Sequence, residues 1–343
     1  MKILSVLTAI SLAVSLLFSI PSRAAAWEIE PLAYEAYADR LISSTYTDSR
    51  GCTLPYRLYL PEDYAERSCP VILSLHGAGE RGSDNEIQAQ GGILPYILAD
   101  DTLSSEAIII SPQCPEEGQW VDVPWSIGVY FTEDVPESPY LSCAVSLMLD
   151  IAEEYGADMS RLYATGYSMG GYGIWDILAR YPGLLAAALP LCGGGDSSKA
   201  ELYKNVPIKT YHCTEDGVVP FIGTQAIVGG IEDAGGSMID FVIIEAASHD
   251  AWNPAYSDRE TLTWLLSQKK EATAVTEAEE AVTEADSNPL AAEQETAVTD
   301  TQTHAKEEKN SSGTGALIAV GIFFIAIAVL SCAMLFRREQ FYS

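Results

Sequence analysis

Between Val71 and Ile244, short apolar runs alternate with longer stretches in which apolar residues recur at helical spacing. The short runs are Val71–Leu75, Ala107–Ile110, Arg161–Thr165, Ala187–Leu191, Ile208–Tyr211 and Phe241–Ile244. Their brevity, and the lack of a polar face in most of them, predict strands buried on both sides, as in a parallel sheet. Upstream, 40–47 and 55–60 alternate apolar with polar residues, which predicts an antiparallel hairpin at the start of the sheet. Ser138-Pro139 is a helix start, and Leu141, Ala144, Val145, Met148, Ala152 and Tyr155 follow it on one face until Gly156. Strand and helix alternating in this way predict an α/β fold, a mostly parallel sheet with helices on both faces. Such sheets carry their sites at the carboxyl ends of the strands, so chemistry is to be sought where the apolar runs stop. The chain contains no internal repeat.

The pattern changes at both ends. Residues 1–26 open with Met1-Lys2, run apolar from Ile3 to Ile20 and close on Arg23-Ala24-Ala25-Ala26, the layout of a secretory signal peptide. Residues 314–336 are uncharged and dominated by Ile, Ala, Val, Leu and Phe. At 1.5 Å per residue that is enough to cross a hydrocarbon layer roughly 30 Å thick. Arg337-Arg338 follow at once and mark the cytoplasmic flank, so 337–343 is expected inside and everything before the span outside, a single-pass type I arrangement. No L-P-x-T-G motif precedes the span, so sortase attachment is not indicated. From 268 to 313 the chain repeats Glu, Ala, Thr and Val without an aromatic residue and reads as an extended, self-repelling tether. The remaining residues, 27–267, suffice for one catalytic-sized domain with a large core.

Charge then narrows the partners. Among 343 residues, 19 Lys and Arg stand against 48 Asp and Glu, a net charge of -29, which disfavours nucleic acid. The stretch Glu271–Gly313 holds eleven acidic and two basic residues, so about a third of the imbalance belongs to the tether.

The run Arg161–Thr165 leads straight into Gly166-Tyr167-Ser168-Met169-Gly170-Gly171, followed by a helical face of Ile174, Ile177, Leu178 and Tyr181 and a stop at Pro182-Gly183. This is G-x-S-x-G in the strand-turn-helix setting that the motif needs. The sharp turn strains the serine backbone, and glycine on each side lets strand and helix approach. Ser168 is therefore the candidate nucleophile, at the positive end of a helix dipole. A serine hydroxyl needs a base. Of His76, His212, His249 and His304, the last lies in the tether, and only His249 leaves room for an acid between it and Ser168 at a strand end, the order Ser, acid, His. The acid that orients His249 is expected in Thr214-Glu215-Asp216-Gly217; Asp216 is preferred because Gly217 permits a tight turn, with Glu215 and Asp196 as alternatives. The oxyanion donors are expected to be the backbone N–H of Met169 and one from His76-Gly77-Ala78-Gly79, Ala78 ahead of Gly77. An activity that depends on a neutral His249 should fall in acid.

Five segments in order resemble a known group: Leu75–Gly82 (LHGAGERG), Ser111–Pro115 (SPQCP), Gly166–Gly173 (GYSMGGYG), Cys192–Asp196 (CGGGD) and Ser248–Trp252 (SHDAW). They resemble the secreted esterase and predicted-peptidase group of α/β-hydrolases, related to the phospholipase/carboxylesterase and polyhydroxybutyrate-depolymerase-like families, with some members labelled prolyl-oligopeptidase-like. The resemblance covers 60–266 and implies an α/β-hydrolase fold with a Ser168, Asp216, His249 triad. Relatives usually read H-G-x-x-D after the seventh strand; here Cys213 stands in place of that glycine. Gln113, Trp120 and Trp252 fall in or near these segments as possible substrate contacts, while Glu80 and Arg81 are as readily an ion pair or hydrogen-bonded pair as substrate contacts.

The implied function is an extracellular, membrane-anchored serine hydrolase acting on carboxylic esters, small or oligomeric and including carbohydrate esters. A peptidase of the prolyl-oligopeptidase-like type, using the same residues, is the alternative, and an inactive surface binding module the least favoured. Aromatic residues of the 116–139 insertion, Trp120, Trp125, Tyr130 and Phe131, are expected to be local core more than ring-stacking contacts. Export permits disulfides, but Cys52, Cys69, Cys114, Cys143, Cys192 and Cys213 allow fifteen full pairings, and no bridge is singled out. Metal-binding and nucleotide-binding motifs are absent from the sequence, and no cofactor is called for.

Overall fold

Alternate residues of the central strands point to two separate cores, one on each side of a single sheet. In β3 (Val71–Leu75), Val71, Leu73 and Leu75 face one core and Ile72 the other. The computed structural model describes residues 29–270 and contains eight strands in one sheet. Besides β3 they are β1 (Leu41–Thr47), β2 (Thr53–Tyr59), β4 (Ile108–Pro112), β5 (Leu162–Tyr167), β6 (Ala187–Leu191), β7 (Ile208–Cys213) and β8 (Ile239–Ile244). The order is β1-β2-β4-β3-β5-β6-β7-β8. β1 and β2 form the expected hairpin and β2 is antiparallel to β4; all other pairs are parallel.

On the first face, α1 (Pro139–Glu154) and α2 (Met169–Arg180) pack Leu141, Leu147, Met148, Ile174 and Ile177 against Leu73, Ile110 and Ala164. The α1 start follows from its sequence: the Ser138 side chain accepts the Tyr140 N–H, and Pro139 occupies a first-turn position where no N–H is needed. On the opposite face, α4 (Trp252–Ser257), α5 (Arg259–Ser267) and the short helix Leu94–Ile97 cover Ile72, Ile109, Tyr163 and Leu189. A further helix, α3 (Phe221–Asp233), follows β7.

Register sets the site. Leu75 lies opposite Gly166, Tyr167 opposite Leu191, and Cys213 opposite Ile244, so the loops leaving β3, β5, β6, β7 and β8 start side by side on one rim. The signal peptide read at 1–26, the tether beyond Lys270, the span at 314–336 and the tail at 337–343 lie outside the described residues. Among the described residues no helix is long and apolar enough to cross a membrane.

Candidate active site

The Ser168 position is made by the close approach of β5 to α2. Ser168 joins them at φ 54° and ψ -117°, a conformation that costs a non-glycine residue of order 1–3 kcal/mol. A Cβ on Gly166 would stand 2.8 Å from the Gly170 and Leu75 carbonyl oxygens, and one on Gly170 would overlap the Leu75 carbonyl. This is the steric reason for glycine on both sides of the serine. The turn is pinned by Ser168 N–H donating to Leu191 O at 2.9 Å and Tyr172 N–H donating to Ser168 O at 3.1 Å.

His249 lies on the loop between β8 and α4. Its Nε2 is 2.7 Å from Ser168 Oγ and its Nδ1 2.6 Å from Asp216 Oδ2. A carboxylate only accepts, so Nδ1 carries the proton and Nε2 is left to accept the Ser168 hydroxyl. The His249 side chain keeps 19% of its exposure whereas that of Asp216 has none. Burial alone would raise the Asp216 carboxyl; the hydrogen bonds from His212 and His249, and from the N–H groups of Val218 and Val219, outweigh it and hold the group well below the usual carboxylate range. Asp216 thus stays an anion beside His249.

The two alternative acids are elsewhere. Glu215 is exposed, and Asp196 accepts the Ser198 and Thr132 N–H groups, capping the turn Ser197–Lys199 and bracing the 116–139 insertion. Cys213, where relatives carry glycine, is an ordinary buried residue of β7 whose thiol donates to Asp250 O at 3.6 Å.

On the other side of Ser168, Met169 is the first residue of α2, and its N–H has no acceptor within the helix. Ala78 opens the turn Ala78–Glu80 on the loop that leaves β3 next to β5. Arg81 clamps that loop: Nε donates to Ala78 O at 3.0 Å, Nη1 donates to Gly118 O at 3.3 Å, and the guanidinium lies 5.7 Å from the centre of the Trp125 ring. Burial raises the Glu80 carboxyl, against a hydrogen bond from Tyr167 that lowers it. Arg81 spends its guanidinium on the loop carbonyls of Ala78 and Gly118 and makes no ion pair with Glu80, whose buried Oε2 has no hydrogen-bond partner.

The three residues considered as substrate contacts separate. Trp252 stands at the site, its ring 5.5 Å from that of His249 and 4.8 Å from that of Tyr167. Trp120 and Gln113 are fully buried, which corrects the reading of either as a substrate contact and, for Trp120, agrees with the local-core expectation for the insertion. Trp120 donates its indole N–H to His76 O at 3.0 Å and packs on Gly173 of α2. Gln113 accepts the Asn85 N–H at 2.7 Å and donates to Glu80 O and Asp84 Oδ1, bracing the segment 80–85. Both support the loop that carries Ala78. In the insertion, Tyr130 is core and stacks on Tyr172, Trp125 is partly buried, and Phe131 is exposed.

One neighbour of the site was not singled out from sequence: His212 at the end of β7, whose Nε2 is 3.2 Å from Asp216 Oδ2. Its place as the histidine of the H-x-x-x-D run that ends on Asp216 was the signal in the sequence.

No protein-family model matches the chain. It is 26% identical over 188 residues to the bifunctional acetylxylan esterase/xylanase XynS20E of Neocallimastix patriciarum, covering 55% of this chain and 25% of that protein. Among solved structures it is similar to a thermostable esterase, with a TM-score of 0.61 and 33% identity over 68% of this chain and 64% of that one. A ferulic acid esterase aligns with a TM-score of 0.49 and 16% identity over 66% of this chain and 98% of that one. The chain therefore spans about a quarter of the length of the curated relative and under two thirds of the esterase.

Proposed function

From the α/β-hydrolase fold of this chain we propose that it is a serine hydrolase that cleaves carboxylic esters through an acyl-enzyme, working outside a membrane. The observation that carries the reading is the hydrogen-bonded chain Ser168, His249, Asp216, with contacts of 2.7 and 2.6 Å on a strand-turn-helix nucleophile. In this mechanism His249 Nε2 takes the hydroxyl proton as Ser168 Oγ attacks the ester carbonyl. Asp216 stabilises the imidazolium that results. The N–H groups of Met169 and Ala78 receive the oxyanion. The tetrahedral adduct expels the alcohol, which leaves with the proton from His249. Water, deprotonated by His249, then attacks the acyl-serine, and the acid is released as Ser168 recovers its proton.

Esters of carbohydrates are the proposed substrates. The acetylxylan esterase relative supports this, as does Trp252, which offers an apolar face beside the base. The apolar N-terminal run, the uncharged stretch 314–336 and the following Arg337-Arg338 support export and anchoring through the C-terminal span.

The test is turnover of p-nitrophenyl acetate, acetylated xylo-oligosaccharides, feruloyl sugar esters and peptide amides by the protein and by Ser168→Ala. Ester turnover that falls about 10⁴-fold or more in the variant is expected. Cleavage of amides with comparable efficiency would replace the esterase by a peptidase. Turnover retained by the variant would remove Ser168 from the chemistry.

A further inference from the structure

Asp216 is held by two histidines, of which the mechanism above uses one. His212 is fully buried, and its Nε2 lies 3.2 Å from Asp216 Oδ2 and 3.0 Å from Val219 O. Both neighbours are pure acceptors, so Nε2 must carry a proton. On the far side, Nδ1 is 2.8 Å from Thr224 Oγ1, and the same hydroxyl is 2.8 Å from Gly193 O. If the hydroxyl donates to Nδ1, the ring is neutral. If it donates to Gly193 O, Nδ1 is protonated as well and the ring is a cation. In either case an N–H of His212 faces the carboxylate.

The lone pairs of Asp216 then balance. A carboxylate offers about four acceptor sites. Oδ1 receives the Val218 and Val219 N–H groups at 2.8 and 3.0 Å, and Oδ2 receives His249 at 2.6 Å and faces the His212 Nε2 at 3.2 Å, whose proton is shared with Val219 O at 3.0 Å. His212 brings the fourth N–H toward this carboxylate, and unmet acceptors of a buried charge are costly.

We propose that His212 is a positioning residue for ester hydrolysis, acting through Asp216: it fills the last acceptor site of the carboxylate, fixes its plane toward His249 Nδ1 and moderates its basicity. This rests on the reading of Ser168, His249 and Asp216 as the reacting group. Without the His212 N–H, the carboxylate bonds its remaining imidazole more strongly and is freer to turn. The first effect stabilises the imidazolium of His249 and moves the acid limb of activity to higher pH; the second lowers kcat. The other titratable groups facing Asp216 are Tyr172 on α2, Cys192 after β6 and Cys213 on β7, all raised by burial and so neutral. Glu215 is exposed, and Asp250 follows His249 in the chain. Phe221 of α3 meets the His212 ring edge-on at 5.8 Å and brings no charge.

The experiment compares the protein with His212→Ala and His212→Gln, the latter keeping an amide N–H, by pH profiles on p-nitrophenyl acetate normalised to folded protein. The histidine ring ¹⁵N resonances of each are followed over the same pH range. His212→Ala should lose about tenfold in kcat with KM little changed, and its acid limb should rise by about half a pH unit. His212→Gln should recover most of both. A folded His212→Ala with the original limb and kcat would overturn the proposal. If that variant does not fold, the unaltered protein still decides: Nε2 of His212 should read as protonated between pH 5 and 8, and an unprotonated Nε2 overturns the proposal. The ring titration of His249 in His212→Gln against the unaltered protein needs no turnover, so a chain that hydrolyses no ester fails the esterase reading without silencing this one.

Discussion

Ser168 lies between two loops that are each pinned by a buried histidine, one whose Nε2 accepts a hydrogen bond and one whose Nε2 donates. On the oxyanion side, Cys114 N–H donates to His76 Nε2 at 2.9 Å, and His76 Nδ1 is 2.6 Å from Gly77 O. Nε2 accepts, so the proton is on Nδ1. On the acid side Nε2 of His212 carries a proton, because Asp216 and Val219 present only acceptors there. One residue type thus serves two loops, and what each loop presents decides the form. In the proposed mechanism the first offers N–H groups to a developing anion, and it is held by a ring that is kept uncharged. Burial pushes the His76 pKa down to about 4, the Gly77 bond works against this, and the Arg81 charge adds to it. The second must keep a buried anion in place and is held by donors.

The comparison breaks most directly at the anion. Asp216→Asn keeps the size of the side chain but gives its four donors an amide, with one oxygen and a nitrogen that itself donates. The expected result is a loss of roughly 10³–10⁴ in kcat, since His249 is then driven toward the wrong tautomer. A loss under tenfold in the folded variant would mean that the acid loop is held together for stability and not for the base.

The oxyanion side makes the opposite kind of prediction, about stability instead of rate. Between the ordinary histidine pKa of 6.5 and about 4, the unfolded chain holds a proton on residue 76 that the folded chain refuses. Stability therefore falls as pH falls through this window, by about 3 kcal/mol at its lower end. His76→Gln can still accept from Cys114 and donate to Gly77 O while removing the titration. Denaturant midpoints between pH 7 and 4 should flatten in that variant relative to the unaltered protein. Parallel curves would show that His76 is not what couples this loop to acid.

Most of the architecture was legible because it rests on local pattern. The strands follow apolar runs of a length that permits little else, and β1 and β2 alternate because one of their faces is wet. Ser168 was readable because its glycines answer a steric demand made by neighbours in sequence. His249 and Asp216 were readable from chain order, and the fold does bring these three side chains together. Gln113 and Trp120 could be read as substrate contacts for one reason: both sit in loops, and only tertiary folding decides which face of a loop is closed; for Trp120 the favoured alternative, local core, is the one that agrees with its burial. The 116–139 insertion folds back on α2 and buries Trp120, while Gln113 turns inward to hold 80–85. His212 escaped because it ends a strand, where a polar residue looks like a boundary, and its partners Thr224 and Val219 come from the next loop and helix.

Trp252 gives the finest distinction, because it flanks the base and yet belongs to neither pinned loop. Its ring is edge-on to His249 and tilted against Tyr167, and the residue is only half-buried. Trp120, by contrast, has no exposed face and spends its N–H on His76 O. Trp252→Ala should therefore act on substrate binding, raising KM for aromatic or sugar esters severalfold while leaving kcat on p-nitrophenyl acetate within about threefold. Trp120→Ala should act on folding, lowering stability by about 3–5 kcal/mol as a buried aromatic does. A Trp252→Ala protein that loses stability like the Trp120 variant and keeps its KM would move that ring from the substrate to the core. The acid loop would then need another wall for its substrate, and the exposed Val218, whose N–H bonds Asp216, would be the next side chain to change.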